Sequence, residues 1–245
     1  MTKGMSVADK IVLITGANRG IGRALVNEAL KREARRVYAA SRVPRQIADE
    51  RVTPLTLDVT SASQIQSAVD QVGALDVLIN NAGIAYDDLT NPDVVEQHLA
   101  VNLLGPLKVT NAFVPMLKRS KGAIMNNLSL AALAALPMIP AYSISKAAAF
   151  NMTQSLRAIL AAEGVSVHAV VLGPIDTEMS RGLEIPKASS ESAAAGILDG
   201  LERGEDEIFP DPASGSIADA WRNGAVKAME RQFAAFVPQT PASAA

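Results

Sequence analysis

The feature that most constrains the fold is a short apolar run that leads through a glycine-rich turn into a helical pattern. Residues 11–15 read Ile-Val-Leu-Ile-Thr, a continuous apolar run rich in β-branched side chains. Such a run is typical of a strand buried on both faces of a parallel sheet. Gly16, Gly20 and Gly22 follow, and residues 23–32 have a helical pattern. The sequence therefore predicts the first β-α unit of an α/β fold.

This turn also has the composition of a loop that binds phosphate. Glycines let the backbone approach a pyrophosphate, and the free N–H groups at the start of a helix attract its negative charge. The spacing is Gly-x-x-x-Gly-x-Gly, whereas the commonest dinucleotide-binding folds have Gly-x-Gly-x-x-Gly. A plain strand-to-helix turn is the alternative. The residues expected to contact a dinucleotide here are Gly16, Asn18, Arg19, Gly20, Ile21 and Gly22.

The next apolar run, residues 37–41, indicates which dinucleotide would bind. It ends in Ser41-Arg42, 19 positions beyond Gly22, and has no carboxylate there. An NAD-binding chain usually has a carboxylate about 20 residues on, where it binds the ribose hydroxyls. Ser41 and Arg42, with Arg19 in the loop, suit a 2′-phosphate instead, because Arg binds phosphate oxygens bidentately. The sequence predicts NADP(H) over NAD(H); the alternative is that both arginines are solvated surface charges.

Strand and helix patterns continue to alternate along the chain. Repeated β-α-β units imply parallel strands and right-handed crossovers, so we expect one doubly wound, three-layer α/β/α sheet of the Rossmann type. A single domain is expected over residues 1–237, with a flexible tail at 238–245. The further elements predicted are strands at 53–59, 75–80 and 122–128, a helix at 61–72 capped by Ser61, a helix that follows residues 189–191 and runs to about 203, and a short strand at 207–210.

Polar residues follow several of the predicted strands. Ligands bind at the carboxyl ends of strands in such sheets, so these residues are candidates for contact with the cofactor. Asp58 could accept a hydrogen bond from the adenine amino group, with a helix cap as the alternative. Ser129 follows the fifth predicted strand. The candidates after the third and fourth strands are Asp58, Val59, Asn81, Ala82 and Gly83.

A candidate for proton transfer lies further along the chain. Tyr142 and Lys146 are four positions apart in a helical pattern that follows Pro140, so both are expected on one helix face. An ammonium close to a phenol favours the phenolate and lowers its pKa, which makes the phenol usable in proton transfer near neutral pH. Tyr-x-x-x-Lys recurs by chance, and an ordinary exposed helix face is the alternative.

An unusual asparagine lies between these two regions. Asn91 and Pro92 are predicted to cap and begin a long helix. Asn102 lies in its interior, where asparagine is unfavourable because its amide competes for backbone hydrogen bonds. A bend or a bound water is expected there, and a tolerated surface Asn is the alternative. The two histidines, His98 and His168, are expected to be structural.

Composition excludes several classes of protein. An apolar share of 49% and a charged share of 20% fit a globular core, and a net charge of −2 argues against nucleic-acid binding. The absence of cysteine excludes disulfides and thiolate metal sites, and no metal site is expected. No apolar run is long enough for a membrane span or a signal-peptide core, so we expect a cytoplasmic protein that begins near Met1.

Taken together, these motifs resemble those of the short-chain dehydrogenase/reductase family, in its ordinary-length branch. The resemblance spans residues 11–177. The matching segments, in chain order, are Thr15 to Gly22, Asn80-Asn81-Ala82-Gly83, Asn102, Ser129, Tyr142-x-x-x-Lys146 and Gly173-Pro174-Ile175-Asp176-Thr177.

The resemblance implies a catalytic tetrad of Asn102, Ser129, Tyr142 and Lys146. Tyr142 would be the general acid in reduction, and Ser129 would hydrogen-bond the substrate oxygen. Lys146 would hold the nicotinamide ribose hydroxyls and lower the pKa of the tyrosine. Asn102 would anchor a water that relays protons to Lys146. One departure is visible, because many members have Asn-x-Ser-Ser where this chain has Asn127-Leu128-Ser129 followed by Leu130; this is interpreted as pocket shaping.

The same resemblance extends to the cofactor and the substrate. Ile175, preceded by Pro174, would bind the nicotinamide carboxamide through its backbone, and Thr177 through its hydroxyl. Residues 80–83 would pass along the cofactor ribose, and residues 178–186 are a possible lid. The substrate segments are strongly apolar, which favours a hydrophobic ketone or aldehyde over a sugar. The expected substrate contacts are Ser129, Ala131, Leu136, Tyr142, Gly173, Met179 and Leu183.

The C-terminal region bears on assembly. Residues 216–236 are predicted as one amphipathic helix whose apolar stripe covers the sheet of the same chain or a neighbouring subunit. Family members are commonly dimers or tetramers built through the helices that carry Asn102 and Tyr142, so a homodimer or homotetramer is expected. The alanines at 147–149 would allow these helices to pack closely.

The leading hypothesis is an NADPH-dependent carbonyl reductase with a small-molecule carbonyl or alcohol substrate. The alternative is a reductase of 3-oxoacyl thioesters on a carrier protein, for which Lys118, Arg119 and Lys121 could form a patch that binds an acidic partner. A solvated helix end is the plainer interpretation of that patch. A third hypothesis, a non-catalytic NADP-sensing protein, is disfavoured by the intact serine, tyrosine and lysine.

Overall fold

The chain forms a seven-stranded, fully parallel sheet in a computed structural model, which describes residues 4–86 and 91–237. The strand order is β3-β2-β1-β4-β5-β6-β7, so the order reverses between β1 and β4 and leaves a crevice at their carboxyl ends. The prediction of a doubly wound Rossmann-type sheet is confirmed. The strands are β1 Ile11–Thr15, β2 Arg36–Ser41, β3 Val52–Thr56, β4 Val77–Asn80, β5 Ala123–Asn127, β6 Ser166–Val170 and β7 Glu207–Ile208.

Helices cover both faces of this sheet. Successive side chains of a strand point to opposite faces, so Val12 and Ile14 pack in one core with α1 and α6, and Leu13 packs in the other with α2 and α4. The helices are α1 Gly20–Lys31, α2 Ala62–Val72, α3 Pro92–Leu99, α4 Gly105–Ser120, α5 Pro140–Ala161, α6 Ser190–Glu202, α7 Pro212–Gly215, α8 Ala218–Arg222 and α9 Ala225–Ala234.

The long helix predicted from Pro92 is interrupted. Asn91 caps α3 as expected, accepting a hydrogen bond from the Asp93 N–H. Residues Ala100–Leu104 then form a π-helical turn that contains Asn102, and α4 follows directly. Asn102 is only 2% exposed. The expected bend is therefore a π-helical turn, and the alternative of a surface asparagine is wrong.

The predicted single helix at 216–236 is wrong. Gly224 has an extended backbone and separates α8 from α9, and the preceding Asn223 bonds back to the Asp219 carbonyl. Trp221 packs edge-on against Phe150 of α5, with ring centroids 5.4 Å apart. The apolar side chains beyond the break are largely exposed, namely Val226, Met229, Phe233 and Phe236. The predicted tail at 238–245 lies outside the described residues.

A buried cluster of charges fixes α9 to the sheet. The Lys227 ammonium lies 2.9 Å from a Glu207 carboxylate oxygen and 3.0 Å from one of Glu230. Arg157 of α5 binds the same two glutamates. Because the Lys227 side chain is 3% exposed and that of Glu207 is 1% exposed, removal of one partner would leave a buried charge uncompensated.

None of the helices formed by residues 4–86 and 91–237 is both long enough and apolar enough to cross a lipid bilayer.

Both histidines are buried in hydrogen-bonded positions. His98 accepts a hydrogen bond from the Tyr86 N–H, and the His168 ring bonds the Glu205 carbonyl and the Ser166 hydroxyl. These contacts are structural, as the sequence predicted.

Candidate active site

The glycine turn is packed so tightly that Gly16 and Gly22 have no room for a side chain. Gly16 has a φ of 68°, and a Cβ atom on Gly22 would lie 2.1 Å from the Gly16 carbonyl oxygen. The Ala17 N–H donates to the Ala40 carbonyl at 3.0 Å, which fastens the turn to the end of β2. Helix α1 begins at Gly20, so its first N–H groups lie at the carboxyl edge of the sheet. The turn can hold an anion close to the backbone.

A network of hydrogen bonds fastens this turn to the segment after β4. The Asn81 amide donates to the carbonyls of Thr15 (2.9 Å) and Gly16 (3.2 Å), and the Thr15 hydroxyl accepts from the N–H groups of Asn81 and Ala82. Asn127, at the end of β5, donates from its amide to the Asn81 Oδ1 at 2.9 Å. Sequence analysis assigned no role to Asn127, although Asn126 and Asn127 are two adjacent buried amides at the end of an otherwise apolar strand.

The Asn80 side chain points away from this edge. Its amide bonds the Thr110 hydroxyl at 3.0 Å and the Asn126 Oδ1 at 2.8 Å, and Asn126 bonds Thr153 in turn. Neighbouring residues of an extended chain point to opposite faces, so Asn80 ties the sheet to α4 and α5. Residues 80–83 are predicted to pass along the cofactor ribose. The Asn80 side chain does not take part in that contact, because it points away from this edge.

Tyr142 and Lys146 lie on one face of α5, as predicted from their spacing. The Lys146 Nζ is 5.5 Å from the centroid of the Tyr142 ring, and both residues are buried. The same ammonium donates to the Asn127 carbonyl oxygen at 2.8 Å. Ser129, just beyond β5, interacts through its side chain with the phenol of Tyr142. Thus a phenol, a hydroxyl and an ammonium meet at the carboxyl edge of β5.

The pKa of the phenol differs from the prediction. Burial raises the pKa of Tyr142 to about 12, and the hydrogen bond with Ser129 only partly opposes this effect. Burial also lowers the pKa of Lys146 to about 8. The expected lowering of the phenol pKa is wrong for the isolated chain, because loss of water destabilises the phenolate more than its neighbours stabilise it. A phenol that stays protonated at neutral pH is suited to proton donation.

The Lys146 pKa predicts a pH dependence of stability. Between about pH 8 and the ordinary value of 10.5, the unfolded chain keeps a lysine proton that the folded chain has lost. The free energy of unfolding of wild type, relative to that of a Lys146→Met variant, should therefore rise with pH over this window by on the order of 3 kcal/mol. This gain is lost as pH falls through 8. Urea unfolding of both proteins at pH 7, 8, 9 and 10 measures it; parallel pH profiles would contradict the assignment.

Asn102 joins the segment after β4 to α5. Its Oδ1 accepts from the Ile84 N–H, and its amide donates to the Ile84 carbonyl and the Ser145 hydroxyl, each at 2.9 Å. Both amide hydrogens are thus used by protein partners. A water near Asn102 therefore has no side-chain N–H of this residue left to accept from.

The segment after β6 returns to the glycine turn. The Gly173 N–H donates to the Asp211 carboxylate at 2.8 Å, a contact that sequence reasoning missed because 38 residues separate the two. Ile175 is buried and pairs with Ala188 in an isolated β-bridge. The Thr177 methyl group lies 3.1 Å from the position that a Cβ on Gly20 would take. The predicted nicotinamide-binding residues therefore lie next to the predicted pyrophosphate-binding turn.

The residues predicted to bind a 2′-phosphate surround the end of β2. Ser41 is 8% exposed, and its buried hydroxyl has no partner among the described residues. Arg42 is exposed. Hydrogen bonds from Thr60 lower the pKa of Asp58, and the charge of Arg42 lowers it further. Asp58 bonds the hydroxyl and N–H of Thr60 while Ser61 caps α2, so the alternative of a helix cap for Asp58 is wrong. Arg19 pairs with Glu178.

The residues predicted to contact the substrate differ in how far they are buried. Ala131 is buried in a short 3₁₀ turn after Ser129. Leu136, Met179 and Leu183 are 40–55% exposed; Leu136 shortly precedes Tyr142, and the other two lie on the 178–186 segment. An apolar ligand that contacted them would remain partly open to water.

Comparison with known proteins agrees with this geometry. Residues 10–187 match the family described as short chain dehydrogenase. An uncharacterised oxidoreductase of Staphylococcus epidermidis is 32% identical over 191 residues, which cover 73% of this chain and 83% of the relative. The 3-oxoacyl-[acyl-carrier-protein] reductase of Thermotoga maritima is 33% identical over 211 residues, covering 79% and 84%.

A solved structure is also similar over nearly the whole fold. The crystal structure of a short chain dehydrogenase from Burkholderia cenocepacia, in complex with NADP, has a TM-score of 0.83 and 37% identity. The match covers 93% of this chain and 99% of the Burkholderia chain. The chain belongs to the short-chain dehydrogenase/reductase family. It is an oxidoreductase of that family, whose members use a nicotinamide cofactor.

Proposed function

We propose that this chain is an NADPH-dependent carbonyl reductase that interconverts a mainly apolar ketone or aldehyde and its alcohol. The observation that carries the proposal is the buried Tyr142 phenol, which interacts with the Ser129 side chain and lies close to Lys146 at the carboxyl edge of β5. The glycine turn lies at the same edge of the sheet. The intact trio argues against a protein that only senses the cofactor.

In reduction, Tyr142 gives its phenolic proton to the carbonyl oxygen, and Ser129 donates a hydrogen bond to that oxygen. The bound nicotinamide supplies the hydride for the carbonyl carbon. The Lys146 charge stabilises the phenolate that remains, in a site with little water where charges interact strongly. Asn102 holds α5 against the segment after β4 through Ser145 and Ile84 and so positions the tyrosine. In oxidation the same proton moves in the opposite direction.

The described residues fit a dinucleotide. The cradle between Gly16 and Gly22 leaves no room for side chains, so its N–H groups can approach a pyrophosphate. The unpartnered Ser41 hydroxyl offers a donor to the adenosine ribose or its phosphate. The residues that would hold the cofactor are Gly16, Asn18, Arg19, Gly20, Ile21, Gly22, Ser41, Arg42, Asp58, Val59, Asn81, Ala82, Gly83, Tyr142, Lys146, Pro174, Ile175 and Thr177.

The preference for NADP(H) rests on Ser41, Arg42 and Arg19 and on the absence of a carboxylate directly after β2. We expect Arg42→Gln to raise KM for NADPH about tenfold and to leave KM for NADH nearly unchanged, because a charge-assisted bond to phosphate is worth roughly 1.5–3 kcal/mol. Steady-state kinetics with both cofactors measure the effect. A wild-type enzyme that prefers NADH would refute the cofactor assignment.

A substrate panel tests the reaction itself. Ketones, aldehydes and an acetoacetyl thioester are offered with NADPH, and its absorbance is followed; turnover of apolar ketones or aldehydes supports the proposal. Preferred turnover of the thioester would support the alternative, which is the activity named for the Thermotoga relative. At the patch considered for a carrier protein, Lys118 pairs with Glu163 at 2.8 Å and Lys121 bonds the Glu163 carbonyl. These pairings favour an ordinary solvated helix end.

We also propose that residues 1–237 act as one domain and that the protein assembles as a homodimer or homotetramer. Exposed apolar side chains on the π-helical turn and α5 support an assembly through these elements: Leu104 is 42% exposed, Ile144 46% and Ile159 56%. Exposed apolar surface of this kind is commonly covered in an interface. Size-exclusion chromatography of the native chain tests the proposal, and a monomeric elution volume would refute it.

A further inference from the structure

One ion pair spans the mouth of the candidate cofactor site. The guanidinium of Arg19, in the glycine turn, bonds the carboxylate of Glu178, in the short 3₁₀ turn Glu178–Ser180 that begins the lid segment. The two residues are 159 positions apart. Their side chains are 71% and 53% exposed, so neither is held in place by burial. The pair is therefore a surface contact that either partner can leave.

The surroundings place this pair beside the site for the 2′-phosphate. The Asn18 amide donates to the Val43 carbonyl, so the turn that carries Arg19 touches the segment that carries Arg42. Thr177, the neighbour of Glu178, packs against Gly20 of the same turn. Both predicted phosphate ligands thus have an acidic neighbour, since Arg19 faces Glu178 and the Arg42 charge acts on Asp58.

We propose that Glu178 is a specificity-determining residue that competes with the cofactor 2′-phosphate for Arg19. The inference rests on the proposed NADP(H) preference. The Glu178 carboxylate bonds Nη1 of Arg19, and its negative charge repels a phosphate that approaches the same guanidinium, so the two anions compete for Arg19. NAD has a hydroxyl at that position and does not require the exchange. Glu178 therefore weakens NADP binding selectively, and binding of the phosphate releases the lid segment from the glycine turn.

The size of the effect follows from the exposure of the pair. Exposed ion pairs shift an equilibrium by a few-fold at most, because water and salt screen them. Glu178→Gln keeps the shape of the side chain and removes its charge. We expect this variant to bind NADP⁺ about three- to fivefold more tightly at low salt and NAD⁺ unchanged, with the gain shrinking at high salt.

The test measures equilibrium binding of NADP⁺ and of NAD⁺ by calorimetry in the absence of substrate. Wild type, Glu178→Gln, Arg19→Gln and the double variant are compared. Glu184→Gln is the matched control, because it removes the same charge from an exposed position on the same segment. We expect the control to bind both dinucleotides as wild type does, and the gain from Glu178→Gln to disappear when Arg19 is already Gln.

Each outcome is decisive. Unchanged NADP⁺ binding in Glu178→Gln, weaker binding of both dinucleotides, or a gain that persists without Arg19 would each overturn the competition. The second result would mean that the pair holds the lid closed over bound cofactor. These failures leave the proposed function intact if Arg19→Gln and Arg42→Gln still lose affinity for NADP⁺ alone. If neither arginine variant discriminates the two cofactors, the NADP(H) assignment itself fails.

Discussion

The Tyr142→Phe variant is expected to lose nearly all turnover, with kcat/KM reduced about 10²- to 10⁴-fold, the range that a positioned general acid supplies. The change removes one oxygen from a buried ring and leaves the packing of the ring in place. With no proton for the carbonyl oxygen, the alkoxide that forms after hydride transfer is not neutralised. Steady-state kinetics with the best substrate of the panel give the measurement.

Two comparisons show whether the loss is chemical. Affinity of Tyr142→Phe for the cofactor should stay within about threefold of wild type, because the hydroxyl contributes at most one hydrogen bond to binding. Tyr38→Phe removes the hydroxyl of another buried tyrosine, which bonds the Val72 carbonyl at 3.3 Å in the core. That variant should keep wild-type kcat. Substantial activity in Tyr142→Phe would exclude Tyr142 as the proton donor.

The second large effect is expected from Gly22→Ala. An added Cβ would lie 2.1 Å from the Gly16 carbonyl oxygen and 2.6 Å from the Asn81 amide nitrogen. The first of these is backbone, so relief requires the turn itself to move. We expect a loss of about 2–3 kcal/mol in the free energy of unfolding, at the upper end for overpacking, together with loss of dinucleotide binding. Chemical denaturation and cofactor titration measure the two effects.

Gly215→Ala is the control for this substitution. A Cβ on Gly215, in α7, would meet nothing within 4 Å, and its φ is not positive. The free energy of unfolding of Gly215→Ala should rise by less than about 1 kcal/mol, because Ala is a better helix former than Gly. Wild-type stability and cofactor affinity in Gly22→Ala would show that the turn is looser than its packing indicates.

Much of the fold could be predicted because local patterns report burial directly. The apolar run at residues 11–15 is the interior strand β1, and Ser61 caps α2 as its position suggested. The spacing of Tyr142 and Lys146 placed both on one face of α5. In each case the signal depends on the geometry of one helix or strand, which a few neighbouring residues determine.

One error came from a local break in a helical pattern, and the others came from interactions between distant parts of the chain. The pattern at 216–236 has a helical period throughout, but Gly224 adopts an extended backbone between α8 and α9. The surface alternative for Asn102 failed because its amide binds Ile84 and Ser145 from other segments. The ion pair of Arg19 was also invisible to local reasoning.

The sequence by itself determined the alternation of strands and helices that builds the sheet, the glycine turn and the position of Tyr142 and Lys146 on one helix face, because these depend on residue type and short spacing. Only the tertiary structure decided that the phenol pKa rises to about 12, since burial depends on everything packed around Tyr142. It also decided that Asn127 bonds Asn81 through its amide and Lys146 through its carbonyl, and that Glu178 faces Arg19. Electrostatics and hydrogen bonding act through space, and distance in space is set by the fold.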